Sequence, residues 1–331
     1  MIAPSEAAAR LIGAAIDRIE PVGGGRNSRV YRVRSGGTDY ALKQYPPRND
    51  DPRDRLGTEA KALRLMERHR LERVPRFLAA DEEHGFALLS WLDGTAVDSP
   101  SETDIDQAAA FLAAIRALRH DDAAASLPPA SEACLSGREI VRQLRGRLEA
   151  LKAADAPELH AFLRGPFADR MTGLLSTAET LAGFDTDLPP EWQSPVPSDF
   201  GFHNAMRQAD GALAFFDFEY FGWDDPVKLT ADVMLHPGTL LDPSLRLRFR
   251  LAAEDVYGGD PGFRARLDAY YPLFGLRWVL ILLNEFLPNR WQQRVAAGAE
   301  NDWVEAKKRQ LAEAEALLGQ IGSTLSGRPR D

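Results

Sequence analysis

The sequence predicts an α+β protein in two parts, a small strand-rich region over residues 1–92 and a larger, mainly helical region over 93–331. Two observations carry this reading. Up to about residue 92 the apolar residues alternate at strand spacing between glycine turns, and beyond Leu92-Asp93-Gly94 they recur at helical spacing. The length, 331 residues with 44% hydrophobic and 27% charged, is enough for two cored regions of ordinary domain size.

In chain order, Ile19 to Val22 reads as a short strand leading into the run Gly23-Gly24-Gly25. Ser28 to Arg34 and Tyr40 to Tyr45 flank Gly36-Gly37, the residues of a two-residue hairpin turn. Such a turn pairs Val30 with Lys43 and Arg32 with Ala41. Alternation then puts those four on one face, and Tyr31, Val33, Tyr40 and Leu42 on the other. Asp54 to His69 reads as a helix, with Leu56, Ala60, Leu63 and Met66 on its inner stripe. Phe77 to Asp81 and Phe86 to Trp91 complete a five-stranded sheet with one helix. Beyond it, 107–119, 137–152, 157–181, 243–256, 263–286 and 302–321 carry helical patterns, and 194–225 reads as short strands and loops.

Composition excludes several classes. Forty basic residues against 49 acidic ones give a net charge of −9, the wrong sign for a generic nucleic-acid partner. The single cysteine, Cys134, rules out an intrachain disulfide framework and a CxxC metal site. Glu6, Arg10 and Asp17 interrupt the first residues, so no signal peptide is expected, and the apolar run Trp278 to Leu283 is too short to span a bilayer. No membrane partner and a cytoplasmic, reducing location are expected.

Candidate chemistry comes from two hairpins and one helix. Lys43 stands beside Val30 and Ala41 next to a glycine loop, a place suited to phosphate beneath an apolar slot. Glu59 lies at the edge of the inward helical stripe, where a carboxylate needs a cation, and Lys43 is the nearest candidate. Asp210-Gly211 signals a second hairpin; a two-residue turn there would set Asn204 opposite Asp217, with Cβ atoms about 4.5–5.5 Å apart. Oxygen ligands meeting in this way suit Mg²⁺, which takes one or two protein carboxylates plus substrate phosphates. Asp199 precedes Asn204 by five residues. The plain alternative is a capping Asn with two solvated Asp residues. A two-carboxylate hydrolase would use Asp199 and Asp217 but leave Lys43 and the glycine loop without a task.

In this order the pieces resemble a kinase signature: glycine loop, strand lysine, helix glutamate, an Asp with an Asn five later, then Asp-Phe. Gly23-x-Gly25-x-x-Ser28-x-Val30 and Tyr40-Ala41-Leu42-Lys43 supply the first two, and Asp217-Phe218-Glu219 the last. The closer resemblance is to the aminoglycoside phosphotransferase and choline kinase branch of the protein-kinase-like fold. That branch favours Asp-Phe-Glu followed by Gly and Asp-Pro, as in Gly222 and Asp225-Pro226. No Ala-Pro-Glu follows Asp217, so a peptide-substrate platform is not expected. The chain departs from the branch at Pro197-Ser198, where His-Gly is usual, and at Gly201, where His is usual; a His stands instead at 203. The usual acid four places after Asp225 is Leu229, with Asp232 the next acid.

The resemblance implies a bilobal fold and ATP-dependent phosphoryl transfer to a small-molecule acceptor, with GTP as the alternative donor. Gly23, Gly24, Gly25, Asn27 and Ser28 would cover the nucleotide, Val30 and Ala41 line the adenine slot, and the backbone near Ser90 and Leu92 bond the base. Lys43, held by Glu59, would meet phosphate; Asn204 and Asp217 would hold Mg²⁺; Asp199 would receive the acceptor proton. Between Asp217 and Asp232 five acids stand against one base, Lys228, which favours a cationic acceptor, with Glu219 and Asp225 as candidate contacts. The segment NEFLPNRWQQR adds Glu285, Arg290 and Trp291, a mixture equally suited to a sugar. The rival reading is a nucleotide-binding regulator of the same fold with little transfer activity.

Overall fold

A computed structural model describes residues 2–23, 28–47, 53–239, 241–296 and 302–321. By contact density the chain forms two compact units: Met1–Ser131 with Pro195–Trp223, and Glu132–Ser194 with Asp224–Asp331. The first unit therefore takes in the strand-and-loop segment beyond residue 194, and the expected boundary at 92 falls inside it.

The first unit is built on five strands, β1 (Arg18–Val22), β2 (Arg29–Ser35), β3 (Thr38–Gln44), β4 (Phe77–Asp81) and β5 (Phe86–Ser90), in the order β1-β2-β3-β5-β4. All adjacent pairs are antiparallel. Gly36 and Gly37 have φ of +56° and +80°, the left-handed pair that a two-residue hairpin turn demands, and the register pairs Val30 with Lys43 and Arg32 with Ala41 as expected. Alternation also holds. Val33 and Leu42, with Tyr31 and Tyr40 beside them, form one apolar face with Phe86 and Leu88. That face is covered by Ala7 and Ala8 of a helix the sequence reading did not foresee, α1 (Pro4–Ile12). The opposite face carries Lys43.

The helix expected at 54–69 is α2 (Arg55–Arg68), its N-terminus capped by Asp54, which accepts from the Gly57 N–H at 3.2 Å. Beyond β5 come β6 (Thr95–Ala96) and α3 (Glu102–Ala117), the latter opened by a reciprocal Ser101–Asp104 capping box. Asp104 is fully buried and takes a two-pronged ion pair from Arg207 at 2.6 and 2.7 Å. β7 (Ser194–Val196) pairs with β10 (Gly222–Asp224), and between them β8 (Ala205–Arg207) and β9 (Leu213–Phe215) form a three-stranded sheet with β6.

The second hairpin differs from expectation by one residue. Ala205 pairs with Phe215, so Asn204 stands opposite Phe216, whose N–H donates to its carbonyl at 3.1 Å. The cause is the turn: Gly211 N–H closes on the Gln208 carbonyl with φ of +84°, giving a three-residue loop rather than two. Asp-Gly suits both loops, but each sets a different register.

The second unit is helical: α4 (Gly137–Lys152), α5 (Pro157–Phe162), α6 (Ala168–Ala178), α7 (Pro226–Leu235), α8 (Pro243–Tyr257), α9 (Phe263–Leu282), α10 (Pro288–Ala296) and α11 (Trp303–Gln320). The expected helix over 157–181 is interrupted by a π turn at Leu163–Phe167, where Pro166 lacks the N–H that would continue the ladder. α9 is apolar on nearly every side and packs against α4, α6, α7, α8 and α11. Among the described residues, no helix is long and apolar enough to cross a membrane.

Candidate active site

The residues singled out for phosphate and proton chemistry that fall among those described all lie in the first unit. Lys43 leaves β3 on the face turned towards α2 and is only 4% exposed. Its Nζ lies 2.7 Å from Glu59 Oε2, 2.5 Å from Asp217 Oδ1 and 3.1 Å from Glu219 Oε2. Burial alone would pull the Lys43 ammonium towards neutrality, but Asp217, Glu59 and Glu219 outweigh it and hold the pKa well above its ordinary value.

Glu59 is fully buried and accepts three hydrogen bonds. Lys43 and the Tyr45 hydroxyl (2.6 Å) share one oxygen, and the Phe218 backbone N–H takes the other at 3.0 Å. One helical carboxylate thereby ties the strand lysine to the Asp-Phe-Glu segment. Tyr45 and Arg55 escaped the sequence reading. Both were signalled there: Tyr45 is two residues beyond Lys43 on the same face, and Arg55 one helical turn before Glu59.

Asp217 reaches Lys43 through its backbone rather than through hairpin register. Its φ is +68°, a left-handed state that Asp tolerates better than most residues. Burial pushes its carboxyl up to about 7, Lys43 opposes that push, and Glu219 and Glu59 add to it. The side chain is still a third exposed, so solvent moderates the effect. Glu219, expected at an acceptor surface, is instead buried in this cluster, where it accepts from Ser28 Oγ (2.6 Å) and Arg55 (2.7 Å). Burial pushes its carboxyl up, but Lys43, Arg55 and Ser28 outweigh that push and hold it below the usual range. The ligand oxygens of Glu59, Asp217 and Glu219 all lie within 4.8 Å of one another.

The loop bearing Asp199 is held separately. Ser198 has φ of +67°, a glycine-favoured state at the place where the resembled branch carries Gly. Asn204 Nδ2 donates to the Asp199 carbonyl at 2.8 Å, and His203 Nε2 lies 3.0 Å from Asp199 Oδ1. No hydrogen bond joins Asn204 to Asp217 among the described residues; the shifted register removes the direct opposition. Four rings anchor the site: Phe111 of α3 lies 5.8 Å from Phe200, 4.5 Å from Phe215 and 6.1 Å from Phe218.

Of the nucleotide candidates, Ser28 is buried, Gly23 is an exposed turn residue, and Val30 and Ala41 are half-buried on the Lys43 face; Gly24, Gly25 and Asn27 lie outside the described residues. Ser90 ends β5, its N–H donating to the Arg76 carbonyl at 2.9 Å, and Leu92 follows in irregular chain. The remaining acceptor candidates lie in the second unit. Asp225 is buried, caps α7 through Val227 N–H at 3.0 Å and pairs with Arg266 at 2.8 Å. Glu285 is buried, Trp291 is buried and stacks on Trp303, and Arg290 is exposed.

Comparison with known proteins agrees with this architecture. The sequence profile described as the phosphotransferase enzyme family matches residues 18–267. No curated protein matches the sequence. Among solved structures, the choline kinase LicA from Streptococcus pneumoniae superposes with a TM-score of 0.62 at 16% identity, over 96% of this chain and 97% of that one. The gentamicin complex of the aminoglycoside phosphotransferase APH(2″)-IIa gives 0.63 at 14% identity, over 96% of each chain. ADP-bound APH(2″)-Ib gives 0.60 at 14% identity, over 96% and 98%. At these identities the structures speak for the fold, which is protein-kinase-like, and the profile match speaks for the lineage: the chain belongs to the phosphotransferase enzyme family and is a phosphotransferase acting on hydroxyl groups.

Proposed function

We propose that the protein moves the γ-phosphoryl group of ATP to a hydroxyl of an amino alcohol, amino sugar or sugar. The observation that carries this reading is the Lys43 cluster, in which one buried ammonium is gripped by Glu59, Asp217 and Glu219. The nucleotide would lie beside Val30 and Ala41, its base bonded by the chain near Ser90 and Leu92. Lys43 would turn towards its phosphates, held from behind by Glu59. The three carboxylates exceed the local positive charge of Lys43 and Arg55; burial is the first cause of the push on Asp217, and Glu219 and Glu59 add to it. Hard oxygen donors in such a cluster fit Mg²⁺, with Asp217 and Asn204 as holders. When bound, Mg²⁺ neutralises phosphate charge.

The acceptor oxygen would attack the γ-phosphorus as the bond to the ADP oxygen breaks, and Asp199 would take the hydroxyl proton. Phosphoryl transfer asks mainly for positioning and charge compensation, which these residues supply. The acid-rich stretch from Asp217 to Asp232, and relatives that are a choline kinase and aminoglycoside phosphotransferases, support a cationic acceptor. An inactive nucleotide-binding regulator finds no support, since Lys43, Glu59, Asp199, Asn204 and Asp217 are all present.

Calorimetry of ATP binding with and without Mg²⁺, followed by a transfer assay across choline, ethanolamine, aminoglycosides and sugars, tests the reading. Asp217→Ala should abolish Mg²⁺-dependent binding. Asp199→Ala should bind nucleotide as the parent does and transfer nothing; parental transfer by that variant would refute the role of Asp199.

A further inference from the structure

Tyr45 lies just past β3 and continues its alternation, two residues after Lys43 and on the same face. Its N–H donates to the Gly85 carbonyl at 2.9 Å, one step beyond the last β3–β5 pair, Gln44 with Phe86. The backbone of Tyr45 is thereby tied to the turn before β5. The residue is only 6% exposed, and it touches both members of the central ion pair. Its hydroxyl donates to Glu59 Oε2 at 2.6 Å, the same oxygen that Lys43 Nζ meets at 2.7 Å. Its ring face lies 5.1 Å from Lys43 Nζ. A buried phenol requires a hydrogen-bond partner, and here that partner is the carboxylate that anchors Lys43.

Lys43 has a choice of carboxylates. A lysine ammonium is a point charge on a flexible stem, and Asp217 at 2.5 Å and Glu219 at 3.1 Å compete with Glu59 for it. The terminal torsion of Glu is broad, so Glu59 is a fixed anchor only while its oxygens are pinned. The Phe218 N–H pins Oε1, and Tyr45 pins Oε2. We infer that Tyr45 is a positioning residue for phosphoryl transfer, holding Glu59 against Lys43 so that the ammonium meets the nucleotide phosphates from a fixed place. The inference rests on the reading of Lys43 given above. Tyr45 keeps its own proton throughout, and its hydroxyl acts only on ligands that carry phosphate. Adenosine is the ligand that lacks it.

The test measures ATP and adenosine affinity by calorimetry with Mg²⁺ present, and acceptor KM by transfer assay. It compares the parent, Tyr45→Phe, Tyr45→4-aminophenylalanine and Lys43→Ala. Tyr45→Phe keeps the ring and removes only the donor. Its ATP Kd should rise about 10-fold, the low end of what losing a supporting hydrogen bond costs at a ligand site, with adenosine Kd and acceptor KM within about twofold of the parent. The 4-aminophenylalanine variant places an N–H donor where the hydroxyl was, and should restore ATP Kd to within about threefold of the parent. Parental ATP affinity in Tyr45→Phe, or an equal loss in the 4-aminophenylalanine variant, would overturn the inference. So would a Tyr45→Phe variant that fails to fold or loses adenosine as well, since the hydroxyl would then serve folding rather than phosphate placement. Lys43→Ala separates the inference from the reading beneath it and should abolish the preference for ATP over adenosine. If that variant keeps the preference, the reading of Lys43 and the inference fall together; if it loses the preference while Tyr45→Phe keeps it, the inference alone falls.

Discussion

Replacing Glu59 by glutamine removes one charge and almost no volume from a fully buried carboxylate. Its two oxygens accept from Lys43, Tyr45 and the Phe218 N–H. An amide oxygen can serve Lys43 and Tyr45, but the NH₂ group then faces the Phe218 N–H, donor against donor. Flipping the amide serves Phe218 and lets its NH₂ donate to the Tyr45 hydroxyl, but abandons Lys43. Lys43 keeps Asp217 and Glu219, so the full cost of breaking a buried pair, about 3–5 kcal/mol, does not apply. What remains is a charge-assisted bond of about 1.5–3 kcal/mol and a stranded donor of about 1–3 kcal/mol, partly offset by relieved crowding among the carboxylates. The expected net loss is about 3 kcal/mol. Urea unfolding followed by tryptophan fluorescence measures it, and hydrogen exchange should show faster opening of α2 and the Asp217–Glu219 segment. A change below about 0.5 kcal/mol with unaltered exchange would refute the idea that Glu59 fastens these elements together.

Two further outcomes follow from backbone and charge. Ser198→Gly should raise the thermal midpoint, because a left-handed backbone costs a residue with a Cβ about 1–2 kcal/mol and glycine gives back about 0.4–1 kcal/mol through the unfolded chain. A lower midpoint would show that the Ser198 Oγ contact with the Ser131 carbonyl, at 3.3 Å, outweighs the strain. Glu132 is lowered from 4.5 to about 2: burial opposes the shift, but Arg277 and Arg147 outweigh it. A depressed carboxylate contributes stability that is present above the unfolded value and lost as pH falls, so this contribution should disappear between about pH 4.5 and 2. Acid titration of the unfolding free energy should show that loss in the parent and a flatter profile in Glu132→Gln.

The first hairpin was legible because Gly36-Gly37 admits one common solution, a left-handed pair that sets register and faces together. Lys43 and Glu59 followed from it. The second hairpin was half legible: Asp210-Gly211 announces a turn, but loop length is decided by how the flanking chain packs, and one residue reverses what faces what. Asp217 arrives at Lys43 through a positive φ that no spacing rule anticipates. Glu219 and Asp225 show the same limit from another side. An acid in a motif can be read from the sequence, but whether Arg55 or Arg266 waits for it in the interior cannot. α7 was missed although Asp225-Pro226 is an N-cap followed by a first-turn proline, a start signal already in the chain.

The ring of Phe111 has a consequence for how this site tolerates change. Phe200 adjoins Asp199, Phe218 adjoins Asp217, and both rings lie against that single side chain. Asp199 and the lysine-bound Asp217 each follow a ring packed on one side chain of α3, and Phe200 also lies 5.0 Å from Phe215, two residues before Asp217. Truncating Phe111 would therefore act on the Asp199 and Asp217 segments together while touching neither carboxylate.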